Sequence, residues 1–265
     1  MINNLPTDNQ TLFSVMTINV RFGLADSGAF RWENRKPAFE SLFHDYRPDF
    51  IALQENNDFQ VDFFKTLLAD YQFIGRRTPA PRRWQHLLIF YRHPWECRQA
   101  NRFFLSHTPQ VPSRIRGSKW PRQCVMGEFV KDNNHIVCVN THFDFDPEVQ
   151  EKSAGILLDQ LDTFTGNNYP QIVMGDFNAA PGSRCHNAFT RPLQSRRPPF
   201  TDTFDGDVTG TFHDFTGEPL SERVDWVLHR NQLQVVDREI VTRRFGDVFP
   251  SDHFPVYVRF ACIPQ

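Results

Sequence analysis

Short apolar runs alternate with amphipathic stretches along most of this 265-residue chain, a pattern that favours an α/β architecture over all-α or all-β ones. Residues 13–20, 49–55, 86–91, 124–130, 136–141, 171–175, 223–229, 235–242 and 254–260 read as strands. Between them, Phe39, Leu42, Phe43 and Tyr46 fall at i, i+3, i+4 and i+7 of one helix, and Phe59, Phe63, Leu67 and Leu68 predict the buried face of a second. A third helix is expected over about 148–164, where Ala154, Leu157, Leu158 and Leu161 keep the helical period. The last third reads as strands with little helix between them. No repeat, low-complexity tract or linker divides the chain, so a single domain is expected over 1–265, with 1–11 a loose N-terminal extension.

The 29 basic and 31 acidic side chains leave a formal charge of −2, which speaks against indiscriminate attraction to nucleic-acid backbones. Five cysteines (Cys97, Cys124, Cys138, Cys185, Cys262) are widely spaced and include no C-x-x-C pair. Neither a disulfide framework nor a thiolate zinc site is therefore expected. No Lys or Arg precedes Arg21, and the apolar stretch 12–18 is short and broken, which predicts no signal peptide. No apolar run approaches the roughly 18 residues of a membrane span. A cytoplasmic monomer without a membrane partner is the expectation.

The chemistry is concentrated where strands end. Apolar runs lead into Asn19, Gln54-Glu55, Asn140-Thr141-His142, Gly175-Asp176-Phe177-Asn178 and Asp225, and Ser251-Asp252-His253 precedes the last run. Ends of neighbouring strands meet in space, and several carboxylates converging there predict a site for a hard cation with oxygen ligands. Each element alone has an ordinary alternative: Asn19 a turn former, Glu55 a solvated loop acid, 175–183 an Asx turn, and Asp252-His253 a capped loop. Asp176 and Asn178, two residues apart, are expected to face the same way from the strand end. The other eight histidines read as structural or solvated.

Together, and in this order over 16–260, these segments resemble the endonuclease/exonuclease/phosphatase superfamily of metal-dependent phosphohydrolases. G-D-F-N at 175–178 and S-D-H at 251–253 are the most specific pieces, supported by Q-E, N-T-H and V-D-W at 54–55, 140–142 and 224–226. The resemblance implies a four-layer α/β/β/α sandwich of two mixed β-sheets flanked by helices, with the site at one end of the sheets. It implies a Mg²⁺ site, with Mn²⁺ as an alternative, at Asn19, Glu55 and Asp252, Glu55 being the direct ligand. Asp176 resembles the group that orients or deprotonates the attacking water, and Asn178 and His142 resemble groups contacting phosphate. His253 resembles the essential His beside the scissile phosphate, with Asp225 fixing it and raising its pKa.

The abasic-endonuclease branch carries N-x-D after the first strand, whereas this chain has Asn19-Val20-Arg21, and Arg cannot ligate a cation. With His142 where that branch uses Tyr, this argues against abasic-site repair. The segment Trp32-Glu33-Asn34-Arg35-Lys36-Pro37 resembles the W-x-x-R-K-P helix opening of deadenylase-like and uncharacterised bacterial members. Two basic clusters, Arg76, Arg77, Arg82, Arg83 and Arg114, Arg116, Lys119, Arg122, lie beside Trp84 and Trp120. They read either as solvated loops or as phosphate-gripping loops whose indoles stack on a base or sugar. The substrate-binding residues expected on the second reading are Arg82, Arg83, Arg116, Lys119, Trp120 and Arg122. A run at Arg191, Arg196 and Arg197 reads as a surface loop. The function implied is a Mg²⁺-dependent phosphoester hydrolase, nuclease or phosphatase, whose substrate is a small phosphorylated molecule or a short single-stranded nucleic acid. The competing readings are a catalytically silent binding protein of the same fold and a sphingomyelin-type lipid phosphodiesterase.

Overall fold

The structure is a computed structural model that describes residues 10–164, 168–191 and 198–263. Its strands are β1 (Leu12–Asn19), β2 (Phe50–Asn56), β3 (Tyr71–Ile74), β4 (His86–Arg92), β5 (Glu96–Phe104) and β6 (Gln123–Lys131). They continue with β7 (Asn134–His142), β8 (Gln171–Asp176), β9 (Thr201–Asp202), β10 (Asp225–Arg230), β11 (Leu233–Ile240) and β12 (Val256–Cys262). The α-helices are α1 (Trp32–Tyr46), α2 (Asp58–Leu67), α3 (Pro147–Phe164) and α4 (Arg184–Thr190). None of the described helices is long and apolar enough to cross a membrane.

The strands form two six-stranded sheets, ordered β11-β12-β1-β2-β4-β3 and β5-β6-β7-β8-β10-β9. Each has one parallel pair at its centre, β1 with β2 and β7 with β8, and every other pairing is antiparallel. The inner faces share one apolar core that includes Val15, Phe50, Ile89, Val125, Phe129, Ile172, Met174 and Val258. The outer face of the first sheet packs on α1 and α2 through Met16, Ile51, Phe39, Leu42 and Phe64. That of the second packs on α3 and α4 through Val139, Val173, Leu157, Leu161 and Phe189. This is the expected four-layer sandwich. Because both faces of the central strands are covered, they are mostly apolar, with Ser14 and Thr17 the buried exceptions within β1, and their polar residues gather at the ends.

The sheets are also pinned by polar contacts. Gln54 Nε2 crosses from β2 to donate to Asn140 Oδ1 on β7 at 2.8 Å, and Asn140 Nδ2 donates back to the carbonyls of Leu53 and Leu88 at 3.0 and 2.9 Å. All these groups are buried, so losing one partner strands the others at a cost of about 1–3 kcal/mol.

Several expectations need correction. The buried face of α2 is Gln60, Val61 and Phe64, with Leu68 following it, while Phe59 is 41% exposed and Phe63 packs against Trp32 of α1. Both stripes satisfy helical spacing, and of the expected one Leu68 is buried while Phe63 and Leu67 pack partly buried against the same cluster. The last strand begins at Val256 because Pro255 has no N–H for the ladder, which leaves His253 and Phe254 in the loop. Likewise β10 begins at Asp225 and β11 ends at Ile240. Pattern reading missed β3, β9 and the short α4, and it missed β5 because that edge strand is mostly polar. Of the supposed loose extension, residues 1–9 lie outside the described residues, but Thr11 is tied by bonds from Cys262 N and Asn134 Nδ2. The five cysteines are free, four of them buried.

Candidate active site

The parallel pairs fix the location of the site. The carboxyl ends of β1 and β2 carry Asn19 and Glu55, and those of β7 and β8 carry His142 and Asp176. The two pairs lie face to face, so four chemically active residues meet at one end of the sandwich, in the crevice where open α/β sheets bind ligands. Register supplies the next step. Asp176 stands opposite His142 on β7 and opposite Asp225 on β10, which sets two carboxylates side by side in a buried row.

Gly175 makes this alignment possible. Its φ is +143°, and a Cβ there would lie 2.1 Å from the Thr141 carbonyl oxygen. Only glycine fits so close an approach. Behind the row, Phe177 stacks on Trp226 with ring centroids 4.2 Å apart, giving Asp176 and Asp225 a rigid apolar floor.

Asp176 is 1% exposed; its Oδ2 accepts from Asn19 Nδ2 and its Oδ1 from the Asn178 amide, both at 2.9 Å. Burial, then repulsion from Asp225, raise its pKa to about 7, against the opposing pull of His253 and these hydrogen bonds. His253 Nδ1 lies 2.8 Å from Asp225 Oδ2, and its Nε2 lies 4.0 Å from Asp176 Oδ2. Burial opposes the charge on His253, but Asp225, Asp176 and Asp252 outweigh it and push its pKa up to about 10. His142 Nε2 is 3.4 Å from Asp176 Oδ2, and burial, Arg122 and His253 hold its pKa well down, so it is neutral.

Glu55 stands at a positive φ of 67° that turns its carboxylate back toward the site. Its Oε2 accepts from Phe22 N at 2.7 Å, while its Oε1 has only His142 Nε2 at 4.0 Å. The supporting loop is held by Gln60, which accepts from Gly23 N and donates to the Arg21 carbonyl. Arg35, inside the W-x-x-R-K-P segment, is buried and donates to the carbonyls of Val20, Pro250 and Phe30, tying the loop after β1 to the loop that carries His253. Its pKa, lowered to about 10 by burial, still leaves it charged at neutral pH.

Two expected residues have other partners here. Asp252 Oδ2 accepts from Arg21 Nη1 at 2.7 Å and its Oδ1 from Ser251 Oγ at 3.1 Å, so the chain's own cation already faces it. Arg21, barred from metal binding by its chemistry, bridges Asp252 to Asp26. Asn178 does not follow the strand alternation, because β8 stops at Asp176 and Asn178 turns at φ 49°. Its side-chain Nδ2 donates to the Phe143 carbonyl at 3.0 Å, which leaves Oδ1 as its free end.

A divalent cation fits this donor set. Glu55 Oε1 has no donor, Asp225 Oδ1 is buried without a partner, and the carboxylate row is held together against its own repulsion. Asp176, Asp225 and His253 offer ligand atoms within 4.8 Å of one another. His253 Nδ1 is engaged by Asp225 and Asn19 Oδ1 accepts from Arg21 N at 3.0 Å, so the carboxylate oxygens left without a donor here are Glu55 Oε1 and Asp225 Oδ1.

Beside this row opens a pocket of about 430 Å³, lined by Phe22, Arg83, Trp84, Trp120, Arg122 and His142 among others. Of the expected substrate-binding residues, it gathers Arg83, Trp120 and Arg122. Arg82, Arg116 and Lys119 are exposed and do not line it, although the Lys119 ammonium sits 5.4 Å from the Trp120 ring. Arg76 is spent on Asp58 and Asp62, and Arg114 on the carbonyls of Ser118 and Lys119. Of the run at Arg191, Arg196 and Arg197, the last two lie outside the described residues. Arg122 is 7% exposed, and its nearest carboxylate is Asp144, with Oδ2 3.9 Å from Nε. Its Nε is buried without a hydrogen-bond partner. The pocket's Phe22 and Gln123 escaped sequence reading because only the fold brings them beside His142.

Comparison with known proteins agrees with this geometry. Residues 16–253 match the model of the endonuclease/exonuclease/phosphatase family. A family member of known structure from Bacteroides thetaiotaomicron is 25% identical, with 96% of each chain covered and a TM-score of 0.85. A mannosyl-6-phosphatase of the same organism is also 25% identical, over 94% of this chain and 99% of that one, at 0.83. The human Nocturnin catalytic domain, 18% identical with 95% and 96% covered and a TM-score of 0.72, shares the fold. An uncharacterized protein of Acanthamoeba polyphaga mimivirus is 29% identical over 178 residues, 62% of this chain and 66% of that protein's length. The chain belongs to the endonuclease/exonuclease/phosphatase family of phosphoester hydrolases.

Proposed function

We propose that this protein is a Mg²⁺-dependent hydrolase of small phosphate esters, in which water attacks phosphorus in line with the leaving alcohol. The observation that carries the reading is the buried row His142-Asp176-Asp225 with His253 locked at its end, next to an Arg122 that lacks hydrogen-bond partners. Asp176, with a pKa near 7, is matched to accept a proton from water at neutral pH. His253, kept charged by Asp225, presents its Nε2–H toward the position of a phosphoryl oxygen, and Arg122 presents its guanidinium from the pocket side. Neutral His142 is a further donor or acceptor beside Asp176. Glu55 and Asn19 would hold the cation, which supplies positive charge for the non-bridging oxygens.

The limited volume of the pocket, about 430 Å³, favours a small substrate over a long strand, and the similarity to a mannosyl-6-phosphatase supports monoesters among the esters to try first. The test is a hydrolysis panel of sugar phosphates, nucleotides, single-stranded DNA and RNA, and choline phosphodiesters, with Mg²⁺, with Mn²⁺ and with EDTA. Cation-dependent phosphate release from a small ester, lost in His253→Ala, is the expected result. Activity undiminished by EDTA, or retained in His253→Ala, contradicts the assignment.

A further inference from the structure

The pocket beside the reacting row has a composition of its own. A ligand whose phosphate lies between Asp176, His253 and Arg122 has this space open to the rest of it, because His142 and Arg122 belong both to the site and to the pocket lining. Resting on the hydrolase reading above, we propose that the pocket selects phosphate esters whose alcohol part carries one compact heteroaromatic ring system, of nucleoside size.

Two observations point to a flat, weakly polar occupant. Half of the lining residues, Phe22, Trp84, Leu87, Trp120 and Pro121, offer ring faces and hydrocarbon, and the polar remainder includes Arg83, Arg122 and His142 on the side of the phosphate. Trp84 is fixed from outside: the Arg77 guanidinium lies 4.3 Å from its ring centroid and Phe104 meets it edge-on at 6.1 Å. Trp120, by contrast, is 51% exposed, an indole face left in water that a stacked ring would cover. The second is size. About 430 Å³ stands at the low end of ligand pockets, and two guanidiniums, Arg83 and Arg122, are too few for a polymer backbone.

The experiment separates ring recognition from turnover. Adenosine 5′-monophosphate and ribose 5-phosphate present the same primary phosphate ester and differ only in the base. Their binding to the full chain carrying Asp176→Asn, which keeps the ester intact, is measured by calorimetry in Mg²⁺, with mannose 6-phosphate as a third ligand. The nucleotide is expected to bind about 10-fold or more tightly than ribose 5-phosphate, the scale of base stacking on an aromatic side chain. Adding Trp120→Ala, a half-exposed position whose loss spares the core, is expected to remove most of that difference and leave ribose 5-phosphate unchanged. Equal affinity for the two ligands, tighter binding of mannose 6-phosphate, or a Trp120→Ala loss shared equally by both ligands overturns the proposal. Hydrolysis of the same esters by the unsubstituted protein is read separately. A clear base preference in binding with no cation-dependent hydrolysis of any ester refutes the hydrolase reading, whereas hydrolysis without base preference refutes ring selection alone.

Discussion

Asp176→Asn is expected to end catalysis and, in the absence of metal, to make the protein more stable. Folding moves this carboxyl from an ordinary value of 3.8 to about 7, because it is buried and faces Asp225. At pH above 7 the native state therefore carries an ionised group it would rather protonate, a penalty of about 4 kcal/mol by linkage. The amide has no charge to bury. It does lose one of two accepted hydrogen bonds, since Asn19 Nδ2 and the Asn178 amide both donate to the carboxylate and a carboxamide has one oxygen. That loss costs about 1–2 kcal/mol, leaving a net gain of roughly 2–3 kcal/mol. The pH dependence has a definite sign. Below 3.8 the folded and unfolded chains are both protonated at this position and the penalty is absent; it grows as pH rises toward 7 and is constant above. Urea unfolding in EDTA should accordingly show the variant ahead of the wild type near pH 8, with the advantage shrinking near pH 5 and reversing near pH 4. A variant less stable near pH 8, or a difference independent of pH, would falsify the claim that Asp176 is held as a strained acid.

Other consequences can be checked alongside it. In Asp225→Asn the first of the charges that keep His253 protonated to about pH 10 is gone, leaving only Asp176 and Asp252 to oppose burial, so turnover near pH 8 should fall by about 10²–10⁴ and the alkaline limb of the pH profile should move to lower pH. An unmoved limb would remove His253 from the role of charged donor. Glu55→Ala should weaken Mg²⁺ binding by about 10-fold or more, read by calorimetry against an unchanged circular-dichroism spectrum. Gly175→Ala places a methyl 2.1 Å from the Thr141 carbonyl at a φ of +143°, and a loss of roughly 3 kcal/mol or more in urea unfolding is expected.

Much of this molecule follows from the sequence through short-range rules. Runs buried on both faces must be apolar, so the central strands are legible, and a polar residue ending such a run marks the rim of the sheet. Asn19, Glu55, His142, Asp176 and Asp225 were visible for that reason alone, and the ordered motifs around them fixed the family. What the sequence does not encode locally is partnership. Whether Arg122 or Arg82 meets the site depends on how the loop before β6 settles against β4, and only the fold shows Arg122 beside His142 and Arg82 in solvent. The sheet-to-sheet bond between Gln54 and Asn140, separated by 86 residues, has no periodicity to reveal it. The ion pair between Asp252 and Arg21, 231 residues apart, likewise appears only in the tertiary structure. The sequence determined which residues reach the rim, because burial is decided residue by residue. The tertiary structure decided what they touch there, because hydrogen bonds and charge pairs depend on distances that the chain sets only once both sheets have closed.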